Sequence, residues 1–249
     1  VKVLAVHQIK GGVGKTAAAV NLASLAAAGG KRTLLWDLDP QGAASFYFRI
    51  APGGGRDAHR LVSGERELGE SIKGTDQEGL DLIPSDLSYR DLDLILEEAG
   101  KPRKRILRLL AGLEEEYDLV FLDCPPGISL AAEAVFRASD ALLVPVIPTT
   151  LSVRTLDQLL GFLAEREADW LAVMAFFSMV DRRKSLHHQI MEELPRARPE
   201  LLSASIPSSS EVERMGLLRR PLVASAPSSP AAEAYRELWR EILGRLGGG

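Results

Sequence analysis

Cysteine is nearly absent from this chain: Cys124 is the single one among 249 residues. One thiol excludes an intrachain disulfide framework. A dominant charge is also missing. Thirty Lys and Arg stand against thirty-four Asp and Glu, giving a net charge of −4 and a pI near 5.7. That balance carries no global nucleic-acid signal, so any contact with DNA must come from a local patch. No apolar run approaches the ~18 residues of a spanning helix, and the N-terminal residues do not have the pattern of a signal peptide. The expectation is a cytoplasmic protein with no membrane span. No repeat is visible. What the chain does have is 46% hydrophobic residues, ample for a core, and a length that suits one large domain over 1–249.

Strand and helix patterns alternate. Strands are predicted near 3–7, 32–36, 80–84, 118–122, 141–147, 171–177 and 203–206. Helices are predicted near 15–28, 88–98, 103–115, 130–138, 153–166, 184–194, 209–217 and 229–246. The alternation predicts an α/β fold, a mainly parallel twisted sheet with helices on both faces. Pro52 to Gly55 is the clearest loop.

The apolar run Val3 to Val6 leads into Lys10-Gly11-Gly12-Val13-Gly14-Lys15-Thr16, with Ala17 opening an alanine-rich stretch to Ala28. The general phosphate-loop pattern asks for glycine where Ile9 stands, but its core of Gly12, Gly14, Lys15 and Thr16 is intact. Glycines let backbone N–H groups close around a polyphosphate, because no side chain intervenes and φ > 0 is accessible. A helix N-terminus adds attraction for anions. Lys15 is placed to reach the β and γ phosphates, and the Thr16 hydroxyl to ligate Mg²⁺.

Two acidic motifs follow. Leu34-Leu35-Trp36 ends in Asp37-Leu38-Asp39-Pro40-Gln41-Gly42. On an extended chain Asp37 and Asp39 face the same way, so one carboxylate can serve the metal's water shell and the other can orient an attacking water. Leu119 to Leu122 run into Asp123-Cys124-Pro125-Pro126-Gly127. This is a Walker B pattern: an acid at a strand's C-terminal end, placed to hold Mg²⁺ directly or through water.

The Lys10–Thr16 string matches K-G-G-x-x-K-[ST] in full and resembles the deviant Walker A loop of the ParA/MinD family of P-loop NTPases, in particular its short chromosomal, Soj-like branch. D-x-D-P-Q-G and D-x-P-P-G resemble that family's two switch segments. The resemblance implies an ATPase with ATP and Mg²⁺, in which Lys10 reaches the partner's phosphates across a nucleotide-sandwich homodimer. It implies catalytic roles for Lys10, Lys15 and Asp39, the last linked to hydrolysis, and a metal site of Thr16, Asp39 and Asp123. It also implies ATP-dependent binding of nonspecific DNA, an activating ParB-like or cargo-adaptor partner, and association with the nucleoid when ATP is bound. Adenine contacts map to Met179 and Pro207. The related nitrogenase iron protein is disfavoured, since it needs two cluster-ligating cysteines per chain. The missing N-terminal extension disfavours the longer plasmid type with its own operator-binding domain.

Relatives typically follow the Ile-Pro pair with Arg-Asn, whereas here Ser208, Ser209, Ser210 and Glu211 follow Ile206-Pro207. Basic residues cluster elsewhere, and Arg182, Arg183, Arg219 and Arg220 are the candidate DNA contacts. MinD relatives end in a basic amphipathic helix that lies on the bilayer. Here the polar face of the last helix interleaves Arg236, Glu237, Arg240, Glu241 and Arg245, which favours a core-packing helix over a membrane-surface one. A second class of function remains in view, an ATP-dependent small-molecule enzyme on the same scaffold, such as dethiobiotin synthetase.

Overall fold

The computed structural model describes residues 1–247. The chain runs through β1 (Lys2–Val6), α1 (Lys15–Ala28), β2 (Thr33–Asp37), α2 (Ala43–Tyr47), α3 (Asp57–Ser63), β3 (Lys73–Gly74), β4 (Leu80–Ile83), α4 (Leu92–Glu98), α5 (Arg105–Leu110) and β5 (Leu119–Asp123). It continues through α6 (Leu130–Ala138), β6 (Ala141–Val146), α7 (Thr150–Glu165), β7 (Ala172–Val180), α8 (Ser185–Ala197), β8 (Leu201–Pro207), α9 (Ser210–Leu218), α10 (Leu222–Ser225) and α11 (Pro230–Gly247). The strands form one sheet in the order β3-β4-β2-β5-β1-β6-β7-β8. Every pairing is parallel except β3 with β4.

The strands are continuous apolar runs because helices cover both faces of the sheet. In β2 all five residues are buried, and alternate side chains serve different cores. Leu34 and Trp36 pack with residues of α3 to α7 on one face. Leu35 joins Leu4, Val6 and Phe121 with residues of α1, α9, α10 and α11 on the other. Helix α1 is small and apolar all round because the sheet, α10 and α11 enclose it. Tyr235, Leu238, Trp239 and Ile242 of α11 are buried in that same core. The Glu241 carboxylate accepts from the backbone N–H groups of Ser203 (2.8 and 2.9 Å) and Ala204 (3.0 Å) on the edge strand β8. The interleaved acid of α11 therefore closes a sheet edge. No described helix is long and apolar enough to cross a membrane.

Two expected helices are broken. The span 88–98 begins as a 3₁₀ turn, Leu87–Asp91, before α4, because the Asp86 carboxylate accepts from the Ser88 N–H at 2.8 Å and starts the chain in a turn. The span 103–115 becomes a 3₁₀ turn at Pro102–Lys104, then α5, then a second 3₁₀ turn at Ala111–Leu113. Gly112 weakens helix propagation there. The short elements α2, α3, β3 and α10 carry no periodic pattern in the sequence.

The connection from β1 to β2 passes to one side of β1, and that from β5 to β6 passes to the other. Strand order thus reverses at β1, and a crevice opens beyond the carboxyl ends of the central strands. Residues 7–14 lie at that position.

Candidate nucleotide site

The loop after β1 departs from extended geometry at Gly12 (φ 70°) and Gly14 (φ 91°), the left-handed region that glycine enters without strain. A Cβ on Gly14 would lie 2.9 Å from the Ser178 hydroxyl, so the end of β7 packs directly on the loop. Gly14 is the N-cap of α1; no side chain caps it and no acid occupies the first turn. The free N–H groups and the positive end of the helix dipole therefore face the crevice.

The two lysines sit differently. Lys15 is buried. Burial lowers its pKa, and the nearby charges of Asp123 and Asp39 oppose that shift. Lys10 is half-buried at the loop entrance, and it makes no ion pair among the described residues. Val13 is fully buried, Gly11 and Gly12 are exposed, and Gly14, Thr16 and Ala17 are intermediate.

Asp37 ends β2 and Asp123 ends β5 at paired register positions, both fully buried. Asp37 Oδ2 accepts from the Ser45 N–H (2.8 Å) and the Ser45 hydroxyl (2.7 Å). Neither Asp123 oxygen, nor Asp37 Oδ1, has a well-formed hydrogen bond. Burial pushes the Asp123 carboxyl well up, and Asp37 reinforces this. The close Thr16 hydroxyl and then Lys15 pull the other way. Asp37 is also raised, first by burial. Asp39 is half-buried in the following turn, where its Oδ1 accepts from the Gln41 N–H at 2.9 Å.

The strand ends at Asp37, whose carboxylate anchors α2, while Asp39 lies in the turn that follows; the charges of both act on Asp123. The unpartnered oxygens of Asp123 beside Thr16 and Asp39 fit a hard divalent cation, which takes oxygen donors and keeps one or two carboxylates plus phosphate oxygens. Among the described residues, no cluster of three or more His, Cys, Asp or Glu side chains could hold a metal. A cation here would share its shell with phosphate.

The AAA_31 family model, an AAA domain, matches residues 1–170. The chromosome partitioning protein ParA of Caulobacter vibrioides is 32% identical over 98% of this chain and 94% of its own length. The chain belongs to the ParA family. Two solved structures share its fold. A Mycobacterium smegmatis cobyrinic acid a,c-diamide synthase with bound ADP and magnesium has a TM-score of 0.84 at 25% identity, covering 100% of this chain and 96% of that one. A plasmid partition protein from Borrelia burgdorferi bound to AMPPNP has a TM-score of 0.86 at 20% identity, covering 98% and 99%.

In this ParA-family chain Met179 and Pro207 fall at the carboxyl ends of β7 and β8. Met179 is exposed with φ 53°, and Pro207 is half-buried; Val180 and Pro207 are register partners on β7 and β8. The divergent serines have a local use. Ser208 N–H donates to the Val180 carbonyl (2.9 Å), and the Ser209 hydroxyl caps α9 by accepting from the Glu211 N–H (3.2 Å). The four candidate arginines are not alike. Arg182 and Arg220 are exposed. Arg183 is paired with Asp181 through its Nε and Nη2 (both 2.9 Å). Arg219 lies 4.5 Å from the centre of the Phe46 ring and donates to the Phe46 carbonyl (3.1 Å).

Three contributors escaped the sequence reading. Ser45 fixes Asp37, and Ser178 touches Gly14. His7 lies fully buried after β1, with neither ring nitrogen partnered, packed edge-on against Phe136 at 5.0 Å. Burial and then the Lys15 charge push its pKa down to about 3, so a neutral ring lies under the loop. Ser45 lies on α2, which no local pattern announces, whereas His7 and Ser178 lie at or beside predicted strands and only the packing shows what they touch. The position of Ser178 beside Met179 was the one available signal.

Proposed function

We propose that this protein is a ParA-like positioning ATPase, one P-loop ATPase domain that uses ATP with Mg²⁺ to close a homodimer and hydrolysis to reopen it. The observation that carries this reading is the division between its two loop lysines: Lys15 is buried among Asp123 and Asp39, while Lys10 stands at the entrance without an ion pair among the described residues. A buried lysine serves its own site's phosphates; an unengaged one at the rim can serve another's. Thr16, Asp39 and Asp123 would hold Mg²⁺, which neutralises charge on the phosphates when bound. The Gly11–Ala17 backbone positions the triphosphate, Asp39 orients the attacking water, and Met179 and Pro207 border the base.

DNA binding belongs to the same proposal. Arg182 and Arg220 supply phosphate contacts, with Arg183 available once it exchanges Asp181 for phosphate, and Arg219 contributes mainly structure. Such binding needs ATP and weakens steeply with salt. A ParB-like or cargo-adaptor protein stimulates turnover, in the cytoplasm, on the nucleoid when ATP is bound. Light scattering with a slowly hydrolysed ATP analogue tests the core of the reading. The wild type should dimerise, and Lys10→Ala should bind nucleotide yet remain monomeric. A Lys10→Ala protein that dimerises normally would remove the role in trans.

The likeness to a diamide synthase at 25% identity motivates a second reading, an ATP-dependent small-molecule enzyme. It requires phosphate release that depends on an added carboxylic acid and ammonia source. Turnover stimulated by DNA and a partner protein, without such a substrate, excludes it.

A further inference from the structure

Beneath the opposite edge of the sheet lies a cavity of about 460 Å³ that the nucleotide chemistry does not use. Helices α6 and α7 run back from the carboxyl ends of the strands, so their last residues and the segment before β7 meet at the amino-terminal edge. Phe136, Phe162, Leu163, Ala168 and Trp170 supply the apolar lining. Arg103, Lys104, Arg137 and Arg166 surround it, against the two acids Glu133 and Glu167.

Arg103 (2.6 Å) and Arg166 (3.3 Å) are both held by Glu133, whose side chain is 14% exposed. Arg166 also lies 4.8 Å over the Phe162 ring, and Arg137 lies 4.4 Å over the Trp170 ring. Trp170 nevertheless remains 45% exposed. An exposed tryptophan with an arginine on its face, beside an apolar hollow with a surplus of positive charge, has the composition of interface anchors.

We propose that this cavity docks an acidic peptide segment of a partner protein, with an aromatic or aliphatic side chain entering the hollow and flanking carboxylates meeting Arg137 and Lys104. The charge surplus selects an acidic partner. Nucleic acid suits the site less well: single strands bind by stacking bases on open aromatic faces along a basic groove, whereas here the faces of Trp170 and Phe162 carry arginines and the hollow is compact. The site lies at the far edge from Lys10, Lys15 and Asp39, so a partner can be held while the nucleotide face stays free. This inference does not depend on the dimer or DNA readings.

The test uses the full chain and the anisotropy of a short fluorescein-labelled peptide alternating Glu with Leu and Phe. Controls are the same peptide with Lys in place of Glu, and labelled oligothymidylate. Saturable binding of the acidic peptide is expected, weakened about tenfold or more by Arg137→Glu and by Trp170→Ala, and unchanged by Lys15→Ala. Unaltered thermal unfolding of Trp170→Ala would show that the loss is local. Absence of saturable binding overturns the proposal. So does binding indifferent to both substitutions, or a stronger Arg137-dependent affinity for oligothymidylate.

Discussion

Asp37 lies directly opposite Asp123 on the parallel strands β2 and β5, and both carboxyls are fully out of water. The pair is asymmetric. Ser45 satisfies one oxygen of Asp37 through two hydrogen bonds, whereas both Asp123 oxygens lack a well-formed one. An unsatisfied buried carboxyl beside a second one opposes folding unless a cation or proton joins it. The sheet thus holds one acid in place and leaves the other ready for a ligand.

Asp123→Asn should therefore stabilise the nucleotide-free protein, because it removes the cost of ionising a buried carboxyl opposite Asp37. The same variant should lose magnesium-dependent nucleotide binding. Thermal melts with and without ATP and Mg²⁺ check both halves. A destabilised apo protein would mean that the carboxylate is satisfied in the fold.

Asp39→Ala should slow phosphate release at least ~100-fold, the range typical of a positioned acid or base, while dimers persist in ATP. Unchanged turnover would refute the role assigned to Asp39. Since Asp39 is half-buried in a turn, its loss should leave the melting temperature of the apo protein nearly unchanged.

Gly14→Ala meets two obstacles, a φ of 91° and a Ser178 hydroxyl 2.9 Å from the new Cβ. Left-handed backbone costs an alanine roughly 1–2 kcal/mol, and the contact adds to it. Lower stability is expected together with weaker nucleotide binding. Adding Ser178→Gly should recover part of the loss; no recovery would show that backbone strain acts without the contact.

Asp86 gives a pH prediction away from the site. Burial raises its carboxyl, but the Ser88 hydroxyl and the N–H groups of Asp57, Ser88 and Gly55 outweigh it, leaving the pKa below the ordinary carboxylate value. The charged form is the one these donors stabilise. Its contribution is complete above about pH 4, where the unfolded carboxyl ionises, and is lost as pH falls through the lower folded value. Protection of the Gly55 and Asp57 amides against exchange, relative to the intrinsic rate at each pH, should fall in that acidic window in the wild type. Asp86→Ala should show fast exchange at neutral pH and lose about 1–3 kcal/mol of stability.

The arginines should separate by readout. Arg219→Ala should cost about 0.5–1 kcal/mol through its lost stacking on Phe46, with a lower melting temperature. Arg182→Glu should leave the melting temperature in place and weaken ATP-dependent DNA binding, more at low salt than at high. If the effects were exchanged, the contact roles of the two residues would have to be exchanged as well.

The chain's local order already specifies the phosphate-loop chemistry. Gly12, Gly14, Lys15 and Thr16 lie within one turn, and glycine spacing, helix start and lysine position are all short-range properties. The alternation of apolar strands with helices likewise determines a mainly parallel sheet, because buried parallel strands need apolar residues on both faces. Burial and partnership across distance were decided by the tertiary structure. Strand register sets Asp37 against Asp123, the short helix α2 brings Ser45 to Asp37, the end of β7 places Ser178 on Gly14, and α9 delivers Arg219 to Phe46. No spacing along the chain encodes these meetings. They follow from which strands are neighbours, and that choice is made by packing the two cores as a whole.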